Sequence, residues 1–563
     1  MKVVIVGSVA AGTSAAAKAR RNTETAQITV YERDHDISYS GCGLPYFVGG
    51  EVDGIDELTP RDPAWFKARY NVDVRTGHEV TAVDAEARTV TVRDLTTGRT
   101  FVDGYDELVL ATGVRSVVPP LAGIDLPGVF TVRNPSDARA IREWVEQRQV
   151  RRAVVVGAGY IGLEMTEQLT RRGIEVTVVE ALEHAMPRMD TDMSARVDAE
   201  LRRNEVDLRL STRVAAIEGD DDGVTGVRVG SPDDGDTVPA DLVIVAVGVR
   251  PNLELAQQAG VRIGPTHAIA VDRQGRTSVK HLWAVGDVAE SFNLITGEPM
   301  WVPLGSTANK TGRIAGDAMT GGRLEHRGIL GTSIVRVFDL GVAQTGFTEE
   351  QARAAGYDIE VLHNIKPDRP EYLGGKPLVI KAVADRASSR LLGAQVIGAS
   401  GADKRIDVLA TAITFGAHVA DLFHLDLAYS PTYATKDPVH YTGMALANAI
   451  SGQAPLVTPA ELDRRRADGE RIQVVDVRSA KDRAKSAVPD SVHIPLDQLR
   501  QRSGELDPNL PTVTYCNKGV TGNAGQNVLR NLGFSDVANL SGGNQNYQQS
   551  HRTRAPAPSR ADH

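Results

Sequence analysis

The chain contains two cysteines, and the residues around each suggest a different kind of sulfur chemistry. Cys42 lies between Gly41 and Gly43 and ahead of Pro45, among small residues that let other groups approach closely. A single cysteine is often a small core hydrophobe, but glycine neighbours bury little surface. Because no second cysteine lies in the same loop, Cys42 must exchange electrons or sulfur with a group that is brought to it.

Cys516 follows a strand predicted at residues 512–515 and precedes a glycine-bearing loop, which leads into a helix predicted at about residues 523–532. A cysteine between the end of a strand and the start of a helix lies among backbone N–H donors. Such donors stabilise a bound anion. We therefore expect the Cys516 loop to hold negatively charged sulfur.

The first of two glycine-rich turns begins at Gly7 and ends at Gly12. It follows a continuous apolar run that is typical of a strand buried on both faces of a parallel sheet, and it leads into an alanine-rich helical stretch. A turn of this kind directs backbone N–H groups and a helix dipole at a pyrophosphate, although Val9 replaces the usual middle glycine. The second strand ends at Glu32, where a carboxylate could hold a ribose hydroxyl.

The second turn is a full GxGxxG motif, formed by Gly157, Gly159 and Gly162, and the next strand ends at Glu180. Glu180 should accept a hydrogen bond from a free 2′-hydroxyl and repel a 2′-phosphate, which favours NADH over NADPH. Two dinucleotide folds imply two dinucleotides. FAD with NADH is the economical pair, because a flavin can pass on the two electrons that a nicotinamide carries.

The sequence outside the two glycine turns indicates how the FAD domain is completed and where a further domain begins. Residues 108–113 and 242–248 are expected to be strands that close the FAD domain, and Asp287 ends a third strand, where it could bind a ribityl hydroxyl. From about Thr332 the sequence changes to short alternating strands and an alanine-rich helix at 403–415. A sheet with a helical face is suited to dimerisation.

Composition excludes several classes of function. With 563 residues the chain must form several domains, and its net charge of −9 disfavours nucleic acid as a partner. Two cysteines exclude a disulfide framework and a Cys-rich zinc site, and His35, His440 and His493 lack metal-ligand spacing, so no metal is expected. No apolar run reaches the ~20 residues that cross a bilayer, and no signal peptide precedes the first strand. We expect a cytoplasmic protein without a membrane partner.

An ordered set of motifs runs through the chain. In the first 446 residues these are Ser38-Tyr-Ser-Gly-Cys-Gly-Leu-Pro-Tyr46, Ala111-Thr-Gly113, Gly157 to Gly162, Val285-Gly-Asp287 and Asp426-Leu-Ala-Tyr-Ser-Pro431. Between residues 458 and 550 they are Asp476-Val-Arg478, His493-Ile-Pro495, Tyr515-Cys516 and Leu540-Ser-Gly-Gly543. The first set resembles the flavoprotein pyridine nucleotide–disulfide oxidoreductases with a single active-site cysteine, and the coenzyme A–disulfide reductases among them. The second set resembles a rhodanese module, and the fusion resembles reductases that include NADH-dependent persulfide and polysulfide reductases.

This resemblance implies an α/β protein with two Rossmann-like domains, an α+β dimerisation domain and an α/β rhodanese domain. The expected boundaries are 1–113 with 246–325 for the FAD-binding domain, 114–245 for the NAD(P)H-binding domain, 326–446 for the dimerisation domain, 447–457 for a linker, 458–550 for the rhodanese-like domain and 551–563 for a disordered tail.

The resemblance also implies roles for individual residues. Cys42 would attack a persulfide or form a mixed disulfide with coenzyme A, and Cys516 would carry sulfane sulfur. Tyr372 and Tyr429 would reach the active site from the partner subunit of a homodimer. The residues that would hold FAD are Gly7, Gly12, Glu32, Ser38, Thr112, Gly113 and Asp287.

The sequence departs from the family pattern at two positions. Gly41 stands where the family commonly has Asn, and Thr521 stands where the rhodanese loop usually carries an arginine. Lys518 could supply a positive charge, but from a different place in the loop. Phe47 occupies the position where related reductases keep a second cysteine, so the second sulfur must come from the substrate or from coenzyme A.

The interpretation is therefore NADH-dependent reduction, through FAD and Cys42, of a persulfide, a polysulfide or coenzyme A disulfide. The Cys42 thiolate would be favoured if it lies at a helix N-terminus. An NADH oxidase or peroxidase that cycles Cys42 through sulfenic acid is one alternative. Others are a sulfurtransferase that uses Cys516, and a redox sensor or sulfur carrier without catalysis.

Overall fold

The computed structural model describes residues 1–231 and 235–552, which form two compact units. The first unit comprises Met1–Ala181 and Val206–Gly331, and the second comprises Leu182–Glu205 and the chain from Thr332 onward. Residues 553–563, the larger part of the expected tail, lie outside the described residues.

The first 116 residues contain eight strands and three helices. The strands are β1 (Lys2–Val6), β2 (Gln27–Tyr31), β3 (Asp73–Arg75), β4 (His78–Asp84), β5 (Thr89–Asp94), β6 (Thr100–Gly104), β7 (Glu107–Leu110) and β8 (Val114–Ser116), and the helices are α1 (Ala10–Asn22), α2 (Leu44–Gly49) and α3 (Pro63–Tyr70).

Residues 117–331 also form strands and helices. Its strands are β9 (Val129–Phe130), β10 (Arg152–Val156), β11 (Glu175–Val179), β12 (Asp207–Arg209), β13 (Val214–Asp220), β14 (Gly223–Val229), β15 (Asp236–Pro239), β16 (Leu242–Val245), β17 (Val249–Pro251), β18 (Leu282–Ala284), β19 (Ser291–Phe292) and β20 (Pro299–Met300). Its helices are α4 (Pro135–Arg148), α5 (Tyr160–Arg171), α6 (Thr191–Arg203), α7 (Glu254–Gln258) and α8 (Gly305–Ala318), of which α6 belongs to the second unit.

Two parallel sheets organise the first unit, in the orders β18-β7-β1-β2-β3 and β12-β11-β10-β16-β9. In the first sheet, Val3 and Ile5 pack on α1 and α8, while Val4 packs on the antiparallel strands β4–β6. The second sheet is covered in the same way, with the antiparallel strands β13–β15 on one face. Burial on both faces explains why the central strands are continuous apolar runs.

The position of β16 corrects one expectation. Residues 242–248 were expected to close the FAD domain, but Leu242–Val245 pairs in parallel with β10 and β9 in the second sheet. The expectation was wrong because a short apolar run predicts a buried parallel strand without showing which sheet it joins. Glu107–Leu110 and Leu282–Ala284 do pair with each other beside β1.

The second unit contains an antiparallel sheet followed by a parallel one. The antiparallel sheet has the order β21-β22-β25-β24-β23. Its strands are β21 (Ser333–Val337), β22 (Leu340–Gly346), β23 (Ile359–Pro367), β24 (Pro377–Asp385) and β25 (Leu391–Gly398), with helices α9 (Glu349–Ala354), α10 (Ala402–Thr414), α11 (Asp421–His424) and α12 (Pro438–Ile450). Helix α10 packs on β22 and β25, and α12 packs on β23.

The parallel sheet has the order β26-β30-β29-β27-β28. Its strands are β26 (Leu456–Val457), β27 (Gln473–Asp476), β28 (Val492–His493), β29 (Thr512–Tyr515) and β30 (Val537–Leu540), with helices α13 (Pro459–Ala467), α14 (Ala480–Arg483), α15 (Leu499–Arg502), α16 (Val520–Asn531) and α17 (Gly543–Arg552). The predicted α/β fold class is confirmed.

Two helix boundaries differ from the expected ones. Helix α16 begins at Val520, three residues before the predicted start, because Gly519 adopts the left-handed conformation that allows the chain to turn directly into the helix. Helix α17 continues to Arg552, so the expected tail begins inside a helix. The polar composition of this segment indicated disorder, but Tyr547 is buried in the core beneath it.

A buried ion cluster holds α6 within the second unit. The Lys381 ammonium on β24 lies 2.9 Å from Asp192, 3.1 Å from Asp190 and 3.0 Å from Glu349. Asp192 also bonds His363 Nε2 at 2.5 Å. Burial alone would raise the pKa of Asp192, but Lys381 and His363 lower it well below its usual range. The cluster therefore depends on one buried cation that neutralises several carboxylates.

Replacing Lys381 by methionine should destabilise this unit by about 3–5 kcal/mol, because the carboxylates would remain buried without their cation. Differential scanning calorimetry of the full-length protein should show a transition at lower temperature than in the wild type. The matched control is Lys485→Met, since Lys485 is exposed and faces only Asp482, at 3.5 Å. Equal transition temperatures for the Lys381 variant and the wild type would contradict the assignment.

Candidate active site

The first glycine turn brings the end of β1 against the start of α1. Gly7 has φ +104°, and a Cβ there would lie 2.3 Å from the Ala111 carbonyl oxygen. A Cβ at Gly12 would lie 1.9 Å from the carbonyl oxygen of Gly7. Side chains are therefore excluded at both positions, and the helix begins close to the strand end. Its first N–H groups are left available to an anion.

Glu32 fixes the same turn from the end of β2. Its carboxylate accepts hydrogen bonds from the Ser8 N–H and hydroxyl, both at 2.9 Å. Ser38 returns to this turn, with φ +50°, and donates its N–H to the Ser8 carbonyl oxygen at 3.0 Å. Glu32 and Ser38 therefore both contact Ser8 in the first turn. This is the position expected for a ribose-binding carboxylate and for the segment that leads to Cys42.

Asp287 faces the same region from the end of β18. Its Oδ1 atom is buried without a hydrogen-bond partner among the described residues. Burial raises the pKa of the Asp287 carboxyl, although Arg133 opposes the shift. A buried acceptor without a protein donor fits a hydroxyl donor on a ligand. The neighbouring turn at Gly113 (φ +60°) is held by Thr112, whose hydroxyl donates to the Asn252 carbonyl oxygen at 3.0 Å.

The second glycine turn repeats the geometry of the first. Gly157 has φ +101°, and a Cβ at Gly162 would lie 2.0 Å from the Gly157 carbonyl oxygen. A Cβ at Gly159 would meet no protein atom within 4 Å, so this position faces open space through which a pyrophosphate could approach. Glu180 accepts the Ala158 N–H at 2.8 Å. The two turns therefore present equivalent sites to two dinucleotides.

Cys42 is exposed and lies in the one-turn 3₁₀ helix Gly41–Gly43, immediately before α2. Helix α2 packs against α5, where the Tyr46 hydroxyl donates to Glu164 at 3.2 Å. Burial within the surrounding depression raises the pKa of the Cys42 thiol, and the carboxylates of Glu164 and Asp287 raise it further. The expectation of a favoured thiolate is therefore wrong for the protein groups alone. Burial and these two charges both disfavour the thiolate.

Glu164 is a site residue that sequence reasoning missed. It lies on α5, two residues after Gly162, and acts electrostatically on Cys42 together with Asp287, which lies in the 3₁₀ turn after β18. Cys42 thus lies within reach of charges from both nucleotide folds. The only sequence signal was a carboxylate two residues after Gly162, which by itself does not indicate proximity to the cysteine.

A cavity of about 520 Å³ adjoins the residues that precede Cys42. Ser38, Tyr39 and Ser40 form one side of it. The remaining wall contains three arginines and two stacking aromatics, which are Arg21, Arg61, Arg313, Trp65 and Tyr70. Arg21 is already positioned by Tyr70, since its guanidinium lies 5.5 Å from the ring centroid and donates to the hydroxyl at 3.3 Å. The cavity suits a ligand with anionic and aromatic parts, and sequence reasoning did not identify it.

Tyr372 and Tyr429 lie in the second unit and are 77% and 74% exposed. Tyr372 is in the 3₁₀ turn Glu371–Leu373, and Tyr429 is in the loop before α12. Within the described chain, neither side chain is covered. Their expected role at the active site of a partner subunit stays a prediction.

Cys516 is buried between β29 and α16, as its position in the sequence indicated. Its Sγ accepts the Gly519 N–H at 3.1 Å, and its carbonyl oxygen accepts the Asn544 N–H at 2.8 Å. Thr521 is exposed on the first turn of the helix. One backbone N–H therefore donates to the sulfur, and the loop itself contributes a single cation, Lys518.

The Asp476-Val-Arg478 motif forms a hydrogen-bond network that supports the Cys516 loop. Arg478 donates to both carboxylate oxygens of Asp476, at 2.9 and 2.7 Å, and to Asn517 Oδ1 at 3.0 Å. The Tyr515 hydroxyl also donates to Asp476, at 2.8 Å. Burial would raise the pKa of Asp476, but these donors lower it. The network fixes the backbone on either side of Cys516.

Among the described residues no cluster of His, Cys, Asp and Glu side chains could hold a metal ion, and His440 and His493 bond the carbonyl oxygens of Leu425 and Arg478. No helix in the described ranges combines the length and the apolar character that crossing a bilayer requires.

Comparison with solved structures gives two matches along nearly the whole chain. The reduced CoADR-RHD of Bacillus anthracis is 35% identical, with a TM-score of 0.94 and 98% of both chains covered. A NAD-dependent persulfide reductase from A. fulgidus is 38% identical, with a TM-score of 0.89 and 97% of this chain and 100% of that chain covered.

Among characterised relatives, the NAD(P)H sulfur oxidoreductase (CoA-dependent) of Pyrococcus furiosus is 38% identical over 435 residues, which cover 77% of this chain and 96% of the relative. Residues 1–308 match the family model of the pyridine nucleotide-disulphide oxidoreductases, residues 332–438 match the dimerisation domain of that family, and residues 458–550 match the rhodanese-like domain. The chain belongs to the pyridine nucleotide-disulphide oxidoreductase family and carries a rhodanese-like domain behind its dimerisation domain.

Proposed function

We propose that this protein is an FAD-dependent enzyme that uses NADH to reduce a persulfide, a polysulfide or coenzyme A disulfide through Cys42. One observation carries the proposal. The single thiol of the first unit lies within electrostatic reach of Glu164, behind one nucleotide turn, and of Asp287, beside the other. The activities named for the A. fulgidus and Pyrococcus furiosus proteins support the same substrate class.

The residues of the first glycine turn would hold FAD. Gly7 and Gly12 exclude side chains where the pyrophosphate approaches, Glu32 would accept from the ribose, and Asp287 would accept from a ribityl hydroxyl. FAD bound there supplies two-electron transfer from a nicotinamide to sulfur. The loops that adjoin this turn contain Thr112, Gly113 and Ser38.

NADH would bind at the second turn, with Gly159 providing the open approach to the pyrophosphate. Glu180 follows β11, and its carboxylate is oriented by the hydrogen bond that it accepts from the Ala158 N–H. A carboxylate accepts from a free 2′-hydroxyl and repels a 2′-phosphate, which favours NADH over NADPH.

Cys42 performs the sulfur chemistry. Its thiolate attacks the inner sulfur of R–S–SH, so that a Cys42–S–S–R bond forms, the donor's S–S bond breaks and the electron pair leaves as HS⁻. With coenzyme A disulfide the leaving group is the coenzyme A thiolate. Reduction of the mixed disulfide by two electrons and a proton returns Cys42 and releases R–SH. Glu164 and Asp287 favour the protonated thiol at rest, which protects it from oxidation between turnovers.

Coenzyme A would bind in the cavity beside the Cys42 loop. Arg21, Arg61 and Arg313 would pair with its phosphates, and Trp65 offers an aromatic face for its adenine. The volume of about 520 Å³ lies within the usual range of small-molecule sites. The cavity adjoins Ser38, Tyr39 and Ser40, so a bound thiol could extend toward Cys42.

A homodimer would complete the site. The match to the dimerisation domain, together with the exposed Tyr372 and Tyr429, supports a surface that a second copy covers. Cys516 would hold sulfane sulfur and pass it to Cys42, either directly or through coenzyme A. The Gly519 N–H and the fixed loop are suited to an anionic persulfide.

Cys42→Ser should abolish NADH-dependent sulfide release while leaving the bleaching of the flavin by NADH intact, because serine cannot form the mixed disulfide. The measurement is sulfide production and flavin absorbance with a small persulfide as substrate. Cys516→Ser is the matched control, and it should retain reduction of the added persulfide. Sustained sulfide release by the Cys42 variant would refute the mechanism, and NADH consumption with oxygen alone would favour the oxidase.

Arg21→Gln should raise the KM for coenzyme A disulfide about tenfold, the loss expected when one charge-assisted contact to phosphate is removed. The KM for pantetheine disulfide, which lacks phosphates, should stay unchanged. Arg33→Gln, at an exposed arginine that does not line the cavity, is the control. Equal effects on both disulfides would show that the cavity does not bind the phosphates.

Glu164→Gln should shift the pH dependence of Cys42 alkylation to lower pH. The Glu164 carboxylate is one cause of the raised Cys42 pKa, so its removal allows the thiolate to form earlier in a titration. The rate of modification by iodoacetamide, followed at Cys42 by mass spectrometry in the absence of NADH, measures this shift. Glu175→Gln, at an exposed glutamate at the start of β11, should leave the profile unchanged. A shift to higher pH would contradict the assignment.

A further inference from the structure

Three lysines lie near the Cys516 loop in the second unit, and two of them contact the Tyr441 ring. Lys366, at the end of β23, places its Nζ 4.1 Å from the centroid of the Tyr441 ring, and Lys436 places its Nζ 4.8 Å from the same centroid. Lys518 follows Cys516 by two residues. Like charges this close repel each other, so the arrangement favours a bound anion.

The protein provides little negative charge to balance this cluster. Lys366 and Lys436 form no hydrogen bond or ion pair with any side chain in residues 1–231 and 235–552. Lys518 approaches only Glu371, at 4.0 Å, and that carboxylate is 79% exposed. The cation–π contacts with Tyr441 hold the ammonium groups in place without neutralising them.

The electrostatics of Lys366 connect it to Cys516. Burial lowers the pKa of Lys366, and the charges of Lys518 and Lys436 lower it further, while the negative charge of a Cys516 thiolate opposes the shift. The lysine and the sulfur are therefore close enough to influence each other.

The backbone fixes this proximity. On β23 the His363 N–H donates to the Ser541 hydroxyl at 2.7 Å, and Gly542 packs closely on the His363 side chain. The segment that follows supports the cysteine, since Asn544 donates to the Cys516 carbonyl oxygen. Lys366 lies three residues further along the same strand, so the antiparallel sheet places its charge beside the loop of the parallel sheet.

Asn364 joins the strand that carries Lys366 to helix α12. Its amide donates to the Pro438 carbonyl oxygen at 2.8 Å and to the Thr442 hydroxyl at 3.0 Å, which ties β23 to the first turn of α12. Tyr441 lies on that turn. The strand that carries Lys366 is therefore held from two directions, and the Tyr441 ring contacts its ammonium group.

We propose that Lys366, together with Lys518, binds the anionic group of the sulfane donor that loads Cys516. This inference rests on the proposed role of Cys516 as the sulfane carrier. The ligand class is a sulfane compound that bears an oxyanion, either the sulfonate of thiosulfate or the phosphates of coenzyme A persulfide. The Cys516 thiolate forms a bond to the outer sulfur, the donor's S–S bond breaks, and the electron pair leaves on sulfite or on the coenzyme A thiolate.

The test compares an anionic with a neutral reagent at Cys516 in the full-length holoenzyme. Alkylation by iodoacetate and by iodoacetamide is followed by mass spectrometry, and the ratio of the two rates measures the local positive charge. Lys366→Gln should lower this ratio about fivefold at Cys516, as expected for the loss of one nearby charge, while Lys366→Arg should preserve it. Cys42 provides an internal control, and Lys376→Gln, at an exposed lysine before β24, is the matched variant.

The source of the oxyanion is identified by sulfur transfer to cyanide, with thiosulfate, coenzyme A persulfide and the phosphate-free pantetheine persulfide as donors. Lys366→Gln should raise the KM for the charged donor that the site binds and leave kcat and the pantetheine persulfide rates unchanged. An unchanged alkylation ratio, equal losses for charged and neutral donors, or failure of both reagents to reach Cys516 would overturn the proposal. These assays report on Cys516 alone, so such a failure leaves reduction at Cys42 untouched.

Discussion

Both nucleotide-binding turns depend on one short contact, in which the last glycine lies against the carbonyl group of the first. A Cβ at Gly12 or at Gly162 would approach that oxygen to 1.9 or 2.0 Å, so only glycine allows the helix to begin so close to the strand. The contact exposes the N–H groups of the turn and lets a carboxylate, Glu32 or Glu180, accept from the second residue of each turn. The position of Cys42 follows from it, since α2 packs on the helix that leaves the second turn.

Features that depend on local backbone geometry could be predicted from the sequence. A left-handed turn and a close helix–strand approach both require glycine, so Gly7 and Gly157 and the strands before them were identifiable from residue type and spacing. Glu32 and Glu180 were identifiable for a related reason, because the next strand of a parallel βαβ unit ends beside the turn. The Cys516 loop was also correctly placed between a strand and a helix.

Features that depend on how distant segments pack could not be predicted. The run at β16 has the composition of any buried parallel strand, which is why its sheet was assigned wrongly. Glu164 and Arg313 are far from Cys42 in sequence and acquire their roles only when α5 packs on α2 and α8 packs on α1. Lys366 is the extreme case, since a lysine at the end of an antiparallel strand gives no sign that a cysteine 150 residues later will lie near it.

The two cysteines occupy opposite electrostatic environments, and this difference has a chemical consequence. Burial and two carboxylates raise the pKa of Cys42, so formation of its thiolate is disfavoured until bound groups bring compensating positive charge. Cys516 lies near three lysines, and the single carboxylate that approaches one of them within the described part of the second unit is the exposed Glu371. The lysines beside Cys516 therefore suit an anionic sulfane donor at the sulfur itself, whereas an anionic ligand of Cys42 would be held through the arginines of the cavity beside its loop. The site that would capture sulfur and the site that would reduce it thus differ in where they place positive charge.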